Sequence, residues 1–336
     1  MDRWSRRQVL QGVGVAGLGL LAGCGRLPFW SPPLPVARVP RIGFLVQPSA
    51  QNAELFATSF RQGLHDYGWV EGENLLIEWR YADGDVARLP ALAQELIALP
   101  VEAVVAFSVA TPVARRVTDT VPIVMVGTVD AVTMGLVASL ARPGGNVTGV
   151  SILERELTAK RLELLYDTVP GMTRIAVLWS GTNEVVRLAF EDAQAAATAL
   201  HLDVQSVGVH TADELESRFE AATGGTTDGL LMIADSQMQV PPGRVGAFAL
   251  RRGLPTMLPG RGGISQGGLM TYSANVSTAF RRAAYYVDRI LNGVKPADLP
   301  VEQPTRFDFV INLKTAQELG LTIPQPVLAQ ASELIQ

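Results

Sequence analysis

Short apolar runs, most of them without polar alternation, are set between amphipathic segments along this chain from Arg41 onward and leave few folds open. The clearest are Ile42–Val46, Ala103–Phe107, Pro122–Val126, Ile175–Trp179, Leu202–Val209 and Gly229–Ala234. A strand with one wet face alternates polar and apolar residues. One that is apolar throughout is covered on both faces, the condition of a parallel sheet between helix layers. The intervening segments supply those helices. Phe56, Phe60, Leu64 and Tyr67 form a single apolar stripe, and Phe280, Ala284, Val287 and Leu291 form another before an Asn292-Gly293 stop. Strand–helix alternation of this kind predicts an α/β fold.

The alternation occurs twice, from Arg41 to about Leu140 and from about Leu153 to Met270. The join, Arg142-Pro143-Gly144-Gly145-Asn146, has turn chemistry and precedes a short strand at Val147–Ser151. A second return falls near Ser273–Ser277. A long helix from Thr278 then leads to another strand pattern at Arg306–Ile311. Two α/β lobes joined by several crossings make a hinged body with a cleft between them.

Ahead of this body lies a segment of different character. Ser5-Arg6-Arg7-Gln8-Val9-Leu10 matches the twin-arginine export pattern, and an apolar run from Val9 to Ala22 follows it. At 14 residues that run is short of the roughly 20 needed to span a bilayer. Leu21-Ala22-Gly23-Cys24 is a lipobox, the small-residue site at which a signal peptidase cuts before a cysteine whose thiol is then lipidated. Residues 1–23 are therefore expected to be a signal peptide and Cys24, the single cysteine, the lipidation site. Gly12-Val13-Gly14-Val15-Ala16-Gly17 spells the dinucleotide fingerprint, but no strand precedes it and it carries no cofactor reading. Residues 24–40 contain Pro28, Pro32, Pro33, Pro35 and Pro40, the composition of a semi-stiff linker.

Without residues 1–23 the chain holds 25 lysines and arginines against 31 acids, a formal charge of −6. That argues against a nucleic-acid partner, which demands a concentrated basic surface. Metal-ligand spacings, a nucleophile elbow and a phosphate-binding loop are all missing from the sequence, so neither a metal site nor a cofactor is expected. Glu154 and Glu156 have the spacing of a solvated helix start.

Open α/β sheets bind ligands beyond the carboxyl ends of their strands, against helix N-termini. The residues expected there are Gln47 and Ser49 after the first strand, Ser108 and Thr111 after the Phe107 strand, and Asp130 after the Val126 strand. In the second half they are Asn183, Asp235 and Tyr272. Thr111 is placed as an N-cap with Pro112 as the first helical residue. Hydroxyls and free amides at helix starts suit a carboxylate, and an acid on the facing wall, Asp130 or Asp235, suits an ammonium group. A zwitterion such as an amino acid satisfies both, although the Ser, Thr, Asn and Asp residues are also ordinary capping types and Tyr272 equally reads as a half-buried strand residue.

The run Leu136-Val137-Ala138-Ser139-Leu140-Ala141-Arg142-Pro143-Gly144-Gly145-Asn146-Val147-Thr148-Gly149-Val150-Ser151 resembles ABC-transporter substrate-binding lipoproteins related to tryptophan and aromatic amino-acid binding proteins. Phe60–Leu64, Tyr67–Gly72, Lys160–Leu165, Pro300–Thr305 and Val310–Ala316 add to the resemblance. It implies a type I periplasmic-binding fold: two Rossmann-like lobes with parallel sheets and three hinge crossings, closing on a small molecule that passes to a permease driven by an ATPase. On this reading 41–150 with about 278–312 form one lobe, and 151–277 with about 313–336 the other. The protein is expected outside the cytoplasmic membrane, held by its lipid. Where such relatives carry Gly-Asp-Pro-Val, this chain has Val129-Asp130-Ala131-Val132, and an Asn-Pro turn is replaced by Thr182-Asn183-Glu184. An exported α/β enzyme and a ligand-sensing module for a membrane receptor are the alternatives. A repressor of the lactose type would need DNA-binding helices before Arg41, where the sequence has a signal and a linker.

Overall fold

The computed structural model describes residues 39–336 apart from 153, 182, 183, 236, 237 and 239 and the side chains of 154, 155, 184 and 185. The signal, the linker up to residue 38, Cys24 and Asn183 lie outside the described residues. The first half alternates β1 (Arg41–Val46), α1 (Glu54–Asp66), β2 (Leu76–Tyr81), α2 (Leu89–Ala98), β3 (Ala103–Phe107), α3 (Ala110–Val117), β4 (Ile123–Val129) and β5 (Val147–Ile152). Next come α4 (Glu154–Thr168), β6 (Arg174–Trp179), α5 (Glu184–Ala199), β7 (Asp203–Gly208), α6 (Leu215–Thr223), β8 (Gly229–Met232), α7 (Pro242–Arg251), β9 (Thr256–Leu258) and β10 (Met270–Ala274). The chain finishes with α8 (Val276–Leu291), β11 (Phe307–Asn312), α9 (Leu313–Glu318), α10 (Gln325–Leu328) and β12 (Glu333–Ile335). Among the described residues no helix is long and apolar enough to cross a membrane.

These strands form two sheets, ordered β2-β1-β3-β4-β5 and β12-β11-β10-β9-β8-β6-β7. Each sheet divides its side chains between two cores, which is why its inner strands read as continuous apolar runs, unlike the edge strands β2 and β7. Ile42, Phe44 and Val46 of β1 enter one cluster with Phe60 and Phe280, while Leu45 enters another with Leu96 and Val104. In the second sheet Ile175, Val177 and Trp179 face Leu165 and Ala193, and Ala176 and Leu178 face Phe219 and Phe248. The first core is rich in rings: Phe44 lies 5.4 Å from Phe60, 4.4 Å from Trp79 and 5.6 Å from Phe280.

The first sheet is parallel throughout, as its apolar runs predict. The second departs from that expectation at β11, which is antiparallel to β10 with Tyr272 opposite Phe309. The boundary placed after residue 312 is also corrected. Helix α8 packs on α1 and on β3, β4 and β5 of the first sheet, but β11 pairs with β10 and β12 of the second. The chain therefore returns to the second sheet before Phe307. Glu302 is bridged in parallel to Val150, extending the first sheet past β5 just ahead of that return.

The described chain thus passes between the sheets at three places: from β5 to α4, from β10 to α8, and from residue 302 to β11. Each passage runs between carboxyl edges. Helix α4 starts at the carboxyl edge of the second sheet because it precedes β6, and α8 starts beside that of the first. Antiparallel β11 likewise begins level with the carboxyl end of β10, Phe307 opposite Ala274. The crossings hold the two carboxyl edges face to face, and the space between them is the cleft.

Candidate functional site

On the first lobe the cleft edge is made by the turns after β1, β3 and β4. Gln47 and Ser49 are half-buried there. Gln47 Nε2 donates to the Gly84 carbonyl at 3.3 Å, and Ser49 Oγ accepts from the Asn52 amide at 3.4 Å. Two turns hold non-glycine residues in the left-handed region, Ser108 at φ 50° and Asp130 at φ 40°. Such backbone costs of order 1–3 kcal/mol per residue and persists where surrounding structure enforces it, commonly at ligand sites. Enforcement is visible here. The Ser108 amide donates to the Val126 carbonyl and its own carbonyl accepts from Thr111. The Asp130 amide donates to Ile152, and its carbonyl accepts from Met134.

The bend at Ser108 also corrects the helix start. Helix α3 begins at Ala110 after Val109, which makes no side-chain cap, so Thr111 lies inside the first turn and is not the N-cap. Thr111 is fully buried. Its hydroxyl donates to the Ala106 carbonyl at 3.0 Å and accepts from Thr128 at 2.8 Å. It braces the ends of β3 and β4 from behind, and the exposed face of the turn falls to Ser108.

Below Asp130 a cavity of about 160 Å³ is lined by Ala131, Thr133, Leu140, Ser151 and, from α4 across the first crossing, Glu156. Ser151 is buried; its hydroxyl donates to the Thr128 carbonyl at 3.0 Å and accepts from the Ala131 amide at 3.3 Å, fixing the turn that carries Asp130. Sequence reasoning missed both Ser151 and Glu156. Glu156 is exposed, as its helix-start reading expects, yet it also faces this cavity. The strand position of Ser151, just before the first crossing, is the signal available for it.

On the second lobe the edge follows β6, β8 and β9 and includes β10. Asp235 is half-buried and its Oδ2 accepts from the Ser180 amide at 3.0 Å, joining the turns after β6 and β8. Tyr272 is a half-buried strand residue. Its ring stacks on Phe307 at 5.5 Å and meets Phe309 edge-on at 6.2 Å. Aromatic surface stands at other strand ends as well. Phe107, ending β3, lies 5.0 Å from Phe56, and Trp179, ending β6, stacks on Phe190 at 4.7 Å.

Each edge therefore carries an acid, Asp130 on one lobe and Asp235 on the other, beside turn hydroxyls, backbone amides and rings. Pockets for small polar solutes with an apolar part are commonly built from such groups. Among the described residues no group of histidines, cysteines or acids has the spacing of a metal site.

Comparison with known proteins agrees with this architecture. The family model for ABC transporter substrate binding protein matches residues 43–335. A tyrosine-binding protein of Clostridioides difficile (strain R20291) is 24% identical over 265 residues, covering 78% of this chain and 75% of that one. The structure of an ABC domain from Streptococcus pneumonia in complex with L-Trp superposes with a TM-score of 0.79 at 26% identity, over 88% of this chain and 99% of that one. A conserved domain protein of Vibrio cholerae superposes with a TM-score of 0.80 at 22% identity, over 88% and 100%. With its two sheets edge to edge across three crossings, the chain belongs to the ABC transporter substrate-binding protein family.

Proposed function

We propose that this protein binds an aromatic L-amino acid between its lobes and presents it to an ABC permease. Its family is extracytoplasmic and acts with such permeases on small solutes. The observation that carries the ligand class is the pairing of polar strand-end turns and one carboxylate on each facing edge with half-buried rings beside them. An α-carboxylate is matched by amides at the helix starts, and an α-ammonium by Asp130 or Asp235. Phe56, Phe107 and Tyr272 offer surface for a ring. The L-Trp held by the pneumococcal relative and the tyrosine named for the clostridial one support the same class. Gln47, Ser49, Ser108 and Asn183 complete the proposed contact set, with Thr111 supporting it from behind.

Cys24 is the proposed lipid anchor, following twin-arginine export, with residues 25–40 as the tether. Replacing Cys24 by Ser is expected to leave the folded body intact and release it from membranes. Retention on the membrane would overturn the anchor.

A thermal-shift screen of the body from Val39 against amino acids, sugars and nucleosides tests the ligand class. A solute at 100 times its dissociation constant adds about 2.7 kcal/mol of stability, a shift of a few degrees for a protein of this size. The expected hits are L-tyrosine or L-tryptophan. A shift with a sugar or nucleoside alone overturns the assignment.

A further inference from the structure

Arg161 is among the largest fully buried side chains of the described residues, 2% exposed, on the helix that opens the second lobe. Helix α4 packs on β8, β9 and β10, and Arg161 reaches the backbone of β10 and of the residue just after β9. Its Nε donates to the Tyr272 carbonyl at 2.7 Å and its Nη2 to the Pro259 carbonyl at 3.3 Å. The place where these bonds fall matters. The ladder between β9 and β10 pairs Met257 with Met270 and Leu258 with Thr271 and then stops. The residue that follows β9 is Pro259, which has no amide hydrogen with which to continue it. At that level the guanidinium serves both strands, a role its planar fork performs and a lysine ammonium does not.

A buried charge is seldom retained for net stability, because a well-packed apolar side chain commonly does as well. We propose that Arg161 is a positioning residue for the ligand-binding edge of the second lobe. It fixes Tyr272 and the turn after β9 relative to α4, and so ties the helix entered at the first crossing to the strand leaving through the second. Tyr272 lies three residues before Asn275, whose side chain caps α8 and also donates to the Asp308 carboxylate of β11. A shift in the height of β10 is therefore passed directly to the second and third crossings.

The test compares Arg161→Met and Arg161→Lys in the intact chain with Phe219→Leu, a core change in α6 far from β10. Hydrogen exchange reads the backbone and calorimetric titration with L-tyrosine reads the site; only the second readout rests on the amino-acid assignment. In Arg161→Met, exchange is expected to rise roughly tenfold or more in peptides spanning 256–261 and 270–275, with the first sheet unchanged. L-tyrosine affinity is expected to fall roughly tenfold to a hundredfold. Arg161→Lys, with charge but no fork, is expected to show both effects in lesser degree, and it carries the test if the Met variant fails to fold. Phe219→Leu is expected to lower the melting temperature with neither effect. Wild-type exchange at 256–261 and 270–275 in the Arg161 variants overturns the proposal, as does an affinity loss no greater than that of Phe219→Leu. If the wild-type protein ignores L-tyrosine, the ligand assignment fails and exchange alone decides the role of Arg161.

Discussion

Asp130 and Asp235 differ in how their surroundings hold them, and the difference shapes what each contributes to a bound solute. Asp130 is 9% exposed on a strained turn braced by Ser151, whereas Asp235 is tied through Oδ2 to the Ser180 amide. Asp→Asn at either site keeps an acceptor but removes the charge. At whichever position pairs with the ligand ammonium, the substitution should weaken L-tyrosine by about 1.5–3 kcal/mol, read by titration. Unchanged affinity in both variants would dismiss the proposed pose. Ser108→Gly tests the strained turn: relief of the left-handed backbone is expected to leave stability unchanged or raised by up to ~1 kcal/mol. Destabilisation beyond 1 kcal/mol, on the order of a lost hydrogen bond, would mean that the Ser108 side chain holds the turn. The residues beyond strand ends were accessible to sequence reasoning because fold class alone places them. The Thr111 position was not, because the helix start depends on a left-handed serine two residues before Ala110, and serine carries no signal for that conformation.

At the scale of elements, the approach of β5 to β4 sets the first crossing. Gly149 has φ 127°, and a Cβ there would stand 2.2 Å from the Met125 carbonyl oxygen. Gly149→Ala is therefore expected to cost about 3 kcal/mol or more in chemical denaturation, since neither strand can withdraw without breaking the ladder. A loss below about 1 kcal/mol would show that β5 has room to move. In the second lobe, Asp228 pins β6 to the start of β8. Its Oδ2 accepts from the amides of Thr173 and Arg174 at 2.8 and 2.9 Å and from the Thr173 hydroxyl at 2.9 Å. Burial alone would raise its pKa, but these bonds outweigh it and hold the carboxyl below the usual range. A depressed folded pKa contributes stability above the unfolded value of about 3.9, and that contribution is lost as pH falls through the folded value. Asp228→Asn should cost about 1–2 kcal/mol at pH 7, with the gap to wild type closing below about pH 4. A gap independent of pH would assign the effect to packing. The Ala103–Phe107 strand was legible to the residue because nothing polar interrupts it. The membership of β11 was not, because it depends on pairing with β10, 33 residues earlier along the chain at Ala274–Phe307.

For the whole molecule, the decisive arrangement is that every described passage between the sheets joins carboxyl edge to carboxyl edge. Hinged closure around a solute requires this geometry, because ligand turns on both lobes then approach one another as the crossings bend. The double run of strands and helices made two lobes readable in the sequence. Which side chains meet across the cleft was not readable, because it depends on helix rotation and on buried braces such as Ser151 and Arg161, whose polar character gives no hint of their depth. The central claim, that these edges close on an aromatic amino acid, is tested most directly by calorimetric titration of the ligand-stripped protein with L-tyrosine and L-tryptophan. The account predicts saturable one-to-one binding of at least one of them. Folded protein that binds neither, while binding a sugar or a nucleoside, would contradict it.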